Sequence, residues 1–384
     1  MRRRLAALFA VGAAILAAAT AATGSPPPQV AGRAYLVANA TTRELLAHYH
    51  EFQELPMASV TKVMTALVVL EHTRPDEVVT VGGPAPTIGG STVGLRAGER
   101  LTVRQLLTAA LVQSANDAAY ALAYYVGHGS VTRFVALMNA KAKVLGLHHT
   151  HFVRPDGLDA VGHYSSAHDL LELAQVAMQN PLFRTLVRIK TTTIPGGRAL
   201  RNWNDLLFTY PGTIGVKTGH TSAAGWNEIA AARRKGVTMY AIILGSPTRS
   251  VRNTDLARLL TWGFDQYRVV QTVTAGHAYA RALEPFSSDK LTLVAARSTF
   301  TRVRVDRPLV QRVVAPAMVS LPVSRGETLG QVRVYSKGKL VARSPLVAAV
   351  AVKSPSFGQR VGWYAGQALH HAGNLLRSFA GLFT

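Results

Sequence analysis

Apolar and polar positions change rhythm twice along this chain. Residues 33–49 carry two apolar segments on either side of an Asn39-Ala40-Thr41-Thr42 turn, which predicts a β-hairpin. Residues 64–71 are apolar and lack glycine and proline, so a helix is expected to start near Ser59. A helical pattern over 103–125 is interrupted by Ser114-Ala115-Asn116. Further helices are expected over 131–144 and 167–178, the second with Ser165 and Ser166 offering N-cap hydroxyls. The pattern then turns to strands over 215–218, 226–233 and 238–244, and closes with a helix over 254–267. Helices segregated from an antiparallel sheet in this way make an α+β domain.

After residue 267 the texture is different. Short β-branched runs recur at 269–273, 291–295, 301–305, 318–321, 330–335 and 345–352, separated by turn residues such as Gly326 and Lys337-Gly338. They predict a small all-β domain. The second change comes near the end. Phe357, Val361, Tyr364, Ala365, Ala368, Ala372, Leu375, Leu376, Phe379 and Phe383 recur at threes and fours. That segment is too polar to span a bilayer, and it reads as an amphipathic interfacial helix. At the opposite end, Met1-Arg2-Arg3-Arg4 precedes an apolar, alanine-rich run to about Ala22, the pattern of a secretory signal peptide. The expected organisation is a signal peptide at 1–22, a Pro-rich linker at 23–31, an α+β domain at 32–267, a β-rich domain at 268–353 and a membrane-associating helix at 354–384.

Composition narrows the chemistry. With no cysteine among 384 residues, disulfides and thiolate metal sites are excluded. The net charge is +22, yet no basic motif with interleaved aromatics points to nucleic acid. For an exported chain, anionic membrane and cell-wall polymers are the expected partners of that charge. Residues 268–384 carry 16 Lys/Arg against 4 Asp/Glu, a net +12, which places much of it beside the amphipathic tail.

Three short motifs carry the candidate chemistry: Ser59-Val60-Thr61-Lys62, Ser114-Ala115-Asn116 and Lys217-Thr218-Gly219. Singly each is weak. In this order they describe a serine acyl-transfer site whose base is a lysine. A serine at a helix start has its hydroxyl near the positive end of the helix dipole, and a lysine three residues on lies beside it. A buried lysine loses its proton more readily and can then take the proton of the serine. Ser114 and Asn116 would supply a hydroxyl and an amide at the far wall of a cleft. Lys217 and Thr218, on an edge strand, would meet a substrate carboxylate, and Gly219 would let the substrate backbone approach closely.

The chain resembles the low-molecular-mass penicillin-binding proteins, the serine D-alanyl-D-alanine carboxypeptidases. The resemblance rests on the three motifs and on their surroundings. These are residues 55–65 around the serine, with Met57 where proline is usual, and residues 113–118, with Ala115 where glycine is usual. They include Gly157-Leu158-Asp159, Tyr164-Ser165-Ser166-Ala167-His168-Asp169, residues 215–225 and Trp262-Gly263-Phe264.

The resemblance implies a penicilloyl-serine transferase fold followed by a β-rich domain, with no cofactor. It implies peptidoglycan stem peptides ending in D-Ala-D-Ala as substrate and β-lactam antibiotics as ligands. Ser59 would be the acylated nucleophile, Lys62 the base, and the N–H groups of Ser59 and His220 the oxyanion donors. Lys217 and Thr218 would hold the terminal carboxylate. Arg252, twelve residues before Phe264, stands where an assisting arginine is expected. The expected place of action is the periplasm, at the outer face of the inner membrane.

Two other readings use the same residues. A class A β-lactamase shares the motifs but adds a Glu-x-x-Leu-Asn stretch, whereas Glu172 here is followed by Leu173, Ala174, Gln175 and Val176. A non-catalytic wall- or membrane-binding protein would have no need of Ser59, Lys62 and Lys217 together.

Overall fold

A computed structural model describes residues 25–380 of the chain, with side chains through Leu369. The signal-peptide segment lies outside the described residues. The chain divides into two compact units, Ser25–Asp265 and a second that begins at Gln266.

The first unit opens with the expected hairpin, β1 (Ala34–Asn39) and β2 (Glu44–Tyr49), which pair antiparallel. Asn39 makes the turn, its Oδ1 accepting from the N–H groups of Thr41 and Thr42. Helix α1 (Lys62–His72) follows a single 3-10 turn, Ala58–Thr61. Ser59 therefore sits in that tight turn, before the helix rather than on it. A small pair, β3 (Val78–Thr80) and β4 (Arg100–Thr102), leads into α2 (Val103–Val112). A reciprocal capping box of Thr102 and Gln105 starts α2, satisfying two backbone donors that its first turn leaves free.

The expected interruption falls between α2 and α3 (Asn116–Val126). Then come α4 (Val131–Val144) and α5 (Ala167–Ala177), the second capped by Ser166 as expected. The helix α6 (Pro181–Leu186), the hairpin β5 (Thr191–Ile194) with β6 (Arg198–Arg201), and α7 (Leu206–Thr209) are too short to show a period in the sequence.

Three long strands complete the sheet: β7 (Thr213–Thr221), β8 (Gly225–Arg234) and β9 (Val237–Ser246). The order is β2-β1-β9-β8-β7, antiparallel where pairs form, and β7 is an edge strand. On one face Leu36, Ile229 and Ile242 join a core with Val63, Leu107, Leu122 and Leu170 of the helices. Helix α8 (Arg249–Asp265) covers the other face through Leu256, Leu259 and Leu260. It starts before the expected position 254, because Arg249, Arg252 and Asn253 are engaged with Asp205 and Glu228 instead of solvent.

In the second unit, β10 (Tyr267–Val273), β11 (Ala278–Leu283), β12 (Lys290–Ala295), β13 (Thr299–Arg304), β14 (Leu309–Val314), β15 (Thr328–Ser336) and β16 (Lys339–Ala348) form two sheets. Their orders are β10-β13 and β11-β12-β16-β15-β14. Leu291, Leu293, Val332, Val334 and Leu346 make the core. Strands β11 and β14 were not expected, because arginines interrupt their alternation.

The expected strand at 318–321 is reduced to a single bridge from Met318 to Leu283. Pro316 and Pro322 bracket it and supply no backbone donors. Helix α9 (Phe357–Ala380) forms over most of the predicted tail. Phe357, Val361, Tyr364 and Leu369 are exposed on it. The stripe positions from 370 onward lie outside the residues whose side chains are described.

Candidate active site

The three motifs meet in one cleft along the open edge of β7. Its volume is about 240 Å³, and Ser59, Ser114, Asn116, Thr218, Gly219, His220 and Arg252 all line it. A larger cavity of about 690 Å³, at the other end of β7 around Arg184, Arg188 and Arg233, holds none of the motif residues.

Backbone geometry places the nucleophile. Ala58, immediately before Ser59, has φ +51°, so the chain turns sharply into the 3-10 turn. Gly157 makes room for that turn: at φ +88° it passes so near that a Cβ there would overlap the Ala58 carbonyl. Gly219 approaches from the other side. A Cβ on it would stand 2.9 Å from the Ser59 nitrogen. The segments bearing the Ser59 and His220 N–H groups are thereby brought side by side.

Lys62 is fully buried beneath the serine. Its Nζ donates to Asn116 Oδ1 at 2.7 Å and to the Asp156 carbonyl at 2.7 Å, and lies 2.9 Å from Ser59 Oγ. Asn116 is oriented in turn by its Nδ2, which donates to the Gly89 carbonyl at 2.8 Å. Burial pushes the Lys62 ammonium down to about 7, with Arg154 adding to the fall while Asp156 and Asp117 oppose it. A neutral amine has two N–H bonds and one lone pair. The two fixed acceptors take the N–H bonds, which leaves the lone pair for the Ser59 hydroxyl.

Ser114 adopts φ +62°, a conformation uncommon for residues other than glycine, between the two helices. There its Oγ accepts from Lys217 Nζ at 2.9 Å. Lys217 also donates to the Thr218 carbonyl at 2.8 Å. Burial, together with the nearby Lys62, holds Lys217 well below the usual lysine range, so an anion entering the cleft gains from restoring its charge. Thr218 faces the other side of β7, toward α8, as does its ladder partner Glu228. Arg252 lies there, buried, its guanidinium 5.7 Å from the Trp226 ring centre. His220 stacks on Trp226 at 4.0 Å on the rim.

All nine residues singled out in the sequence thus gather at or beside the cleft. Others had no motif to mark them. The Asp156 carbonyl is a backbone acceptor, invisible in any side-chain pattern. Trp203 walls the cleft, with Nε1 donating to the Gln113 carbonyl at 3.1 Å. The buried Glu228 behind Arg252 had only its polarity inside an apolar strand as a signal.

Comparison with known proteins gives the same picture. The sequence profile of the peptidase family S11, D-alanyl-D-alanine carboxypeptidase, matches residues 20–248. The chain is 32% identical over 368 residues to the D-alanyl-D-alanine carboxypeptidase DacD of Salmonella typhimurium, covering 90% of this chain and 94% of that one. To the carboxypeptidase DacA of Escherichia coli it is 30% identical over 361 residues, covering 90% and 89%. Among solved structures, penicillin-binding protein 5 from Haemophilus influenzae superposes with a TM-score of 0.63 at 27% identity, over 86% of this chain and all of that one. A nucleophile turn closed by Gly157 and Gly219, a buried lysine beneath it and a profile match across the motif-bearing unit lead to one conclusion: the chain belongs to the D-alanyl-D-alanine carboxypeptidase family, peptidase S11.

Proposed function

We propose that Ser59 is the acyl-ester nucleophile of a serine-type D-Ala-D-Ala carboxypeptidase acting on peptidoglycan stem peptides. The observation that carries this reading is the Lys62 amine, its two N–H bonds fixed by Asn116 and Asp156 and its third direction aimed at Ser59 Oγ. Lys62 takes the hydroxyl proton as Oγ attacks the carbonyl of the penultimate D-Ala. The N–H groups of Ser59 and His220 receive the oxyanion. Ser114 accepts from Lys217, which leaves its own hydroxyl proton for the departing D-Ala nitrogen; the proton that Lys62 took from Ser59 then replaces it on Ser114, and Lys62 is a neutral amine again. Water then attacks the acyl-serine, with Lys62 again the base, and releases the shortened peptide. A β-lactam enters by the same attack and remains on Ser59.

Lys217, Thr218 and Arg252 form the carboxylate end of the cleft. The expected consequence is a preference for a free C-terminus. A D-Ala-D-Ala peptide amidated at its terminus should be cleaved at least about tenfold more slowly than the free acid, the worth of one charge-assisted contact. Release of the terminal residue from the two peptides measures it. Equal rates would remove these residues from carboxylate recognition.

The reading extends to location. The basic, apolar segment at 1–22 supports export, and the exposed Phe357, Val361, Tyr364 and Leu369 on α9 support attachment to the outer face of the inner membrane. Among the described residues no helix is long and apolar enough to cross a membrane. Truncation after Ser354 should release the mature enzyme from anionic vesicles and leave hydrolysis of small peptides unchanged. Full-length enzyme that stays in solution with such vesicles at both low and high salt would contradict the attachment.

A further inference from the structure

Behind the carboxylate end of the cleft lies an acid for which the mechanism above has no use. Glu228 is fully buried on β8, opposite Thr218 and on the same strand face as Trp226. Its Oε2 is 3.0 Å from Arg252 Nε, yet neither carboxylate oxygen accepts a hydrogen bond of good geometry among the described residues. Arg252 directs Nε and Nη2 to Asn253 Oδ1 instead, at 3.1 and 2.6 Å. Its Nη2 also lies 3.5 Å from Asp205 Oδ2, but Arg249 already binds Asp205 through two hydrogen bonds of 2.7 and 2.6 Å.

A buried carboxylate without hydrogen bonds is costly, and a neutral side chain of the same size would fill the space more cheaply. Packing therefore does not account for it. What Glu228 does have is contact with an arginine that lines the cleft.

We propose that Glu228 sets the enzyme's affinity for the terminal carboxylate of its substrate by competing with that carboxylate for the charge of Arg252. The proposal rests on the reading of Lys217, Thr218 and Arg252 as the carboxylate site. Ionised, Glu228 neutralises the guanidinium from behind. Protonated, it leaves that charge to the substrate.

The charged groups facing Glu228 are Arg249 and Arg252 from α8 and Asp205 from the turn before α7. Lys217, on the opposite face of β7, acts on it through the sheet; the ladder partners of Glu228 are Thr218 on β7 and Ile243 on β9. Burial raises the Glu228 carboxyl to about 7, with Arg252 opposing the rise and Asp205 adding to it. The sign follows. Below about pH 7 Glu228 is neutral and substrate binds tightly; as pH rises through that point it ionises, and KM rises. Lys62 needs the opposite, since its lone pair becomes available only as pH rises through about 7. Turnover and affinity thus move in opposite directions across neutrality.

The test is to measure kcat and KM separately between about pH 6 and 9 on a free-acid D-Ala-D-Ala peptide and on its C-terminal amide. In the native enzyme KM for the free acid should rise with pH while KM for the amide should not; because Lys217 losing its charge would give a rise of the same sign, the comparison with Glu228→Gln decides the role of Glu228. Glu228→Gln keeps the volume and removes the charge. It should lower KM for the free acid about tenfold at the alkaline end, leave the amide unchanged and keep the rise of kcat with pH.

An unchanged KM profile in the variant, a raised KM, or equal shifts on both peptides would overturn the role of Glu228. If the native enzyme cleaves acid and amide alike, the carboxylate site itself fails. If it prefers the acid and Glu228→Gln changes nothing, only the competition fails.

Discussion

Lys62→Arg slows acylation of Ser59 by about 100-fold or more, the usual scale for loss of a general base. Arginine keeps a positive charge at this position and cannot surrender it at working pH. The effect is separable from misfolding because pH reads it directly. Burial brings Lys62 to about 7, so the neutral, proton-accepting form grows as pH rises through neutrality. Acylation by a labelled penicillin should therefore climb with pH in the native enzyme and level off once Lys62 is deprotonated. In the variant the rate should be low and flat. Near-native acylation by Lys62→Arg, or a variant whose rate still climbs through pH 7, would assign the base to another group.

Ser59→Ala removes both hydrolysis and labelling, a loss of about 10⁴-fold or more, because the hydroxyl that lies against the Lys62 amine and carries the acyl group is gone. The fold should survive. Ser59 Oγ contacts Lys62 Nζ and the Asp156 carbonyl, and Lys62 keeps its bonds to Asn116 and Asp156 when the hydroxyl is gone. The expected change in stability is within about 1 kcal/mol, one ordinary hydrogen bond. Thermal unfolding alongside D-Ala release separates the two effects. Residual turnover at a tenth of the native rate would mean a nucleophile elsewhere.

The reacting side chains were legible because their chemistry requires particular residue types at short spacing. A serine three residues before a lysine survives as a pattern, since one turn brings them together whether the turn is 3-10 or α. The groups that tune the site were not legible, because long-range folding supplies them. Asp156 acts through its carbonyl, a group every residue has, and is placed by a segment 94 positions from Lys62. Glu228 looks like a surface acid interrupting a strand until α8 brings Arg252 onto it. Gly157 and Gly219 were visible as glycines, but their fit around Ala58 and Ser59 depends on three segments meeting.

The same physics divides the fold. Long strands and helices with a clean apolar period, such as β9 and α5, stood out. Four- to six-residue elements such as α6, β5 and β6 carry too few positions to show one, and tertiary packing decides them. In β11 and β14 the period is present but Arg281 and Arg312 break it, their long side chains being tolerated because these strands are exposed on one face.

The most direct test of Ser59 as the acylated residue is to incubate the native enzyme with a penicillin, digest it and locate the adduct by mass spectrometry. A single β-lactam mass on the peptide that contains Ser59, absent after Ser59→Ala, is the expected result. An adduct on any other serine, or none at all from folded protein, would contradict the assignment.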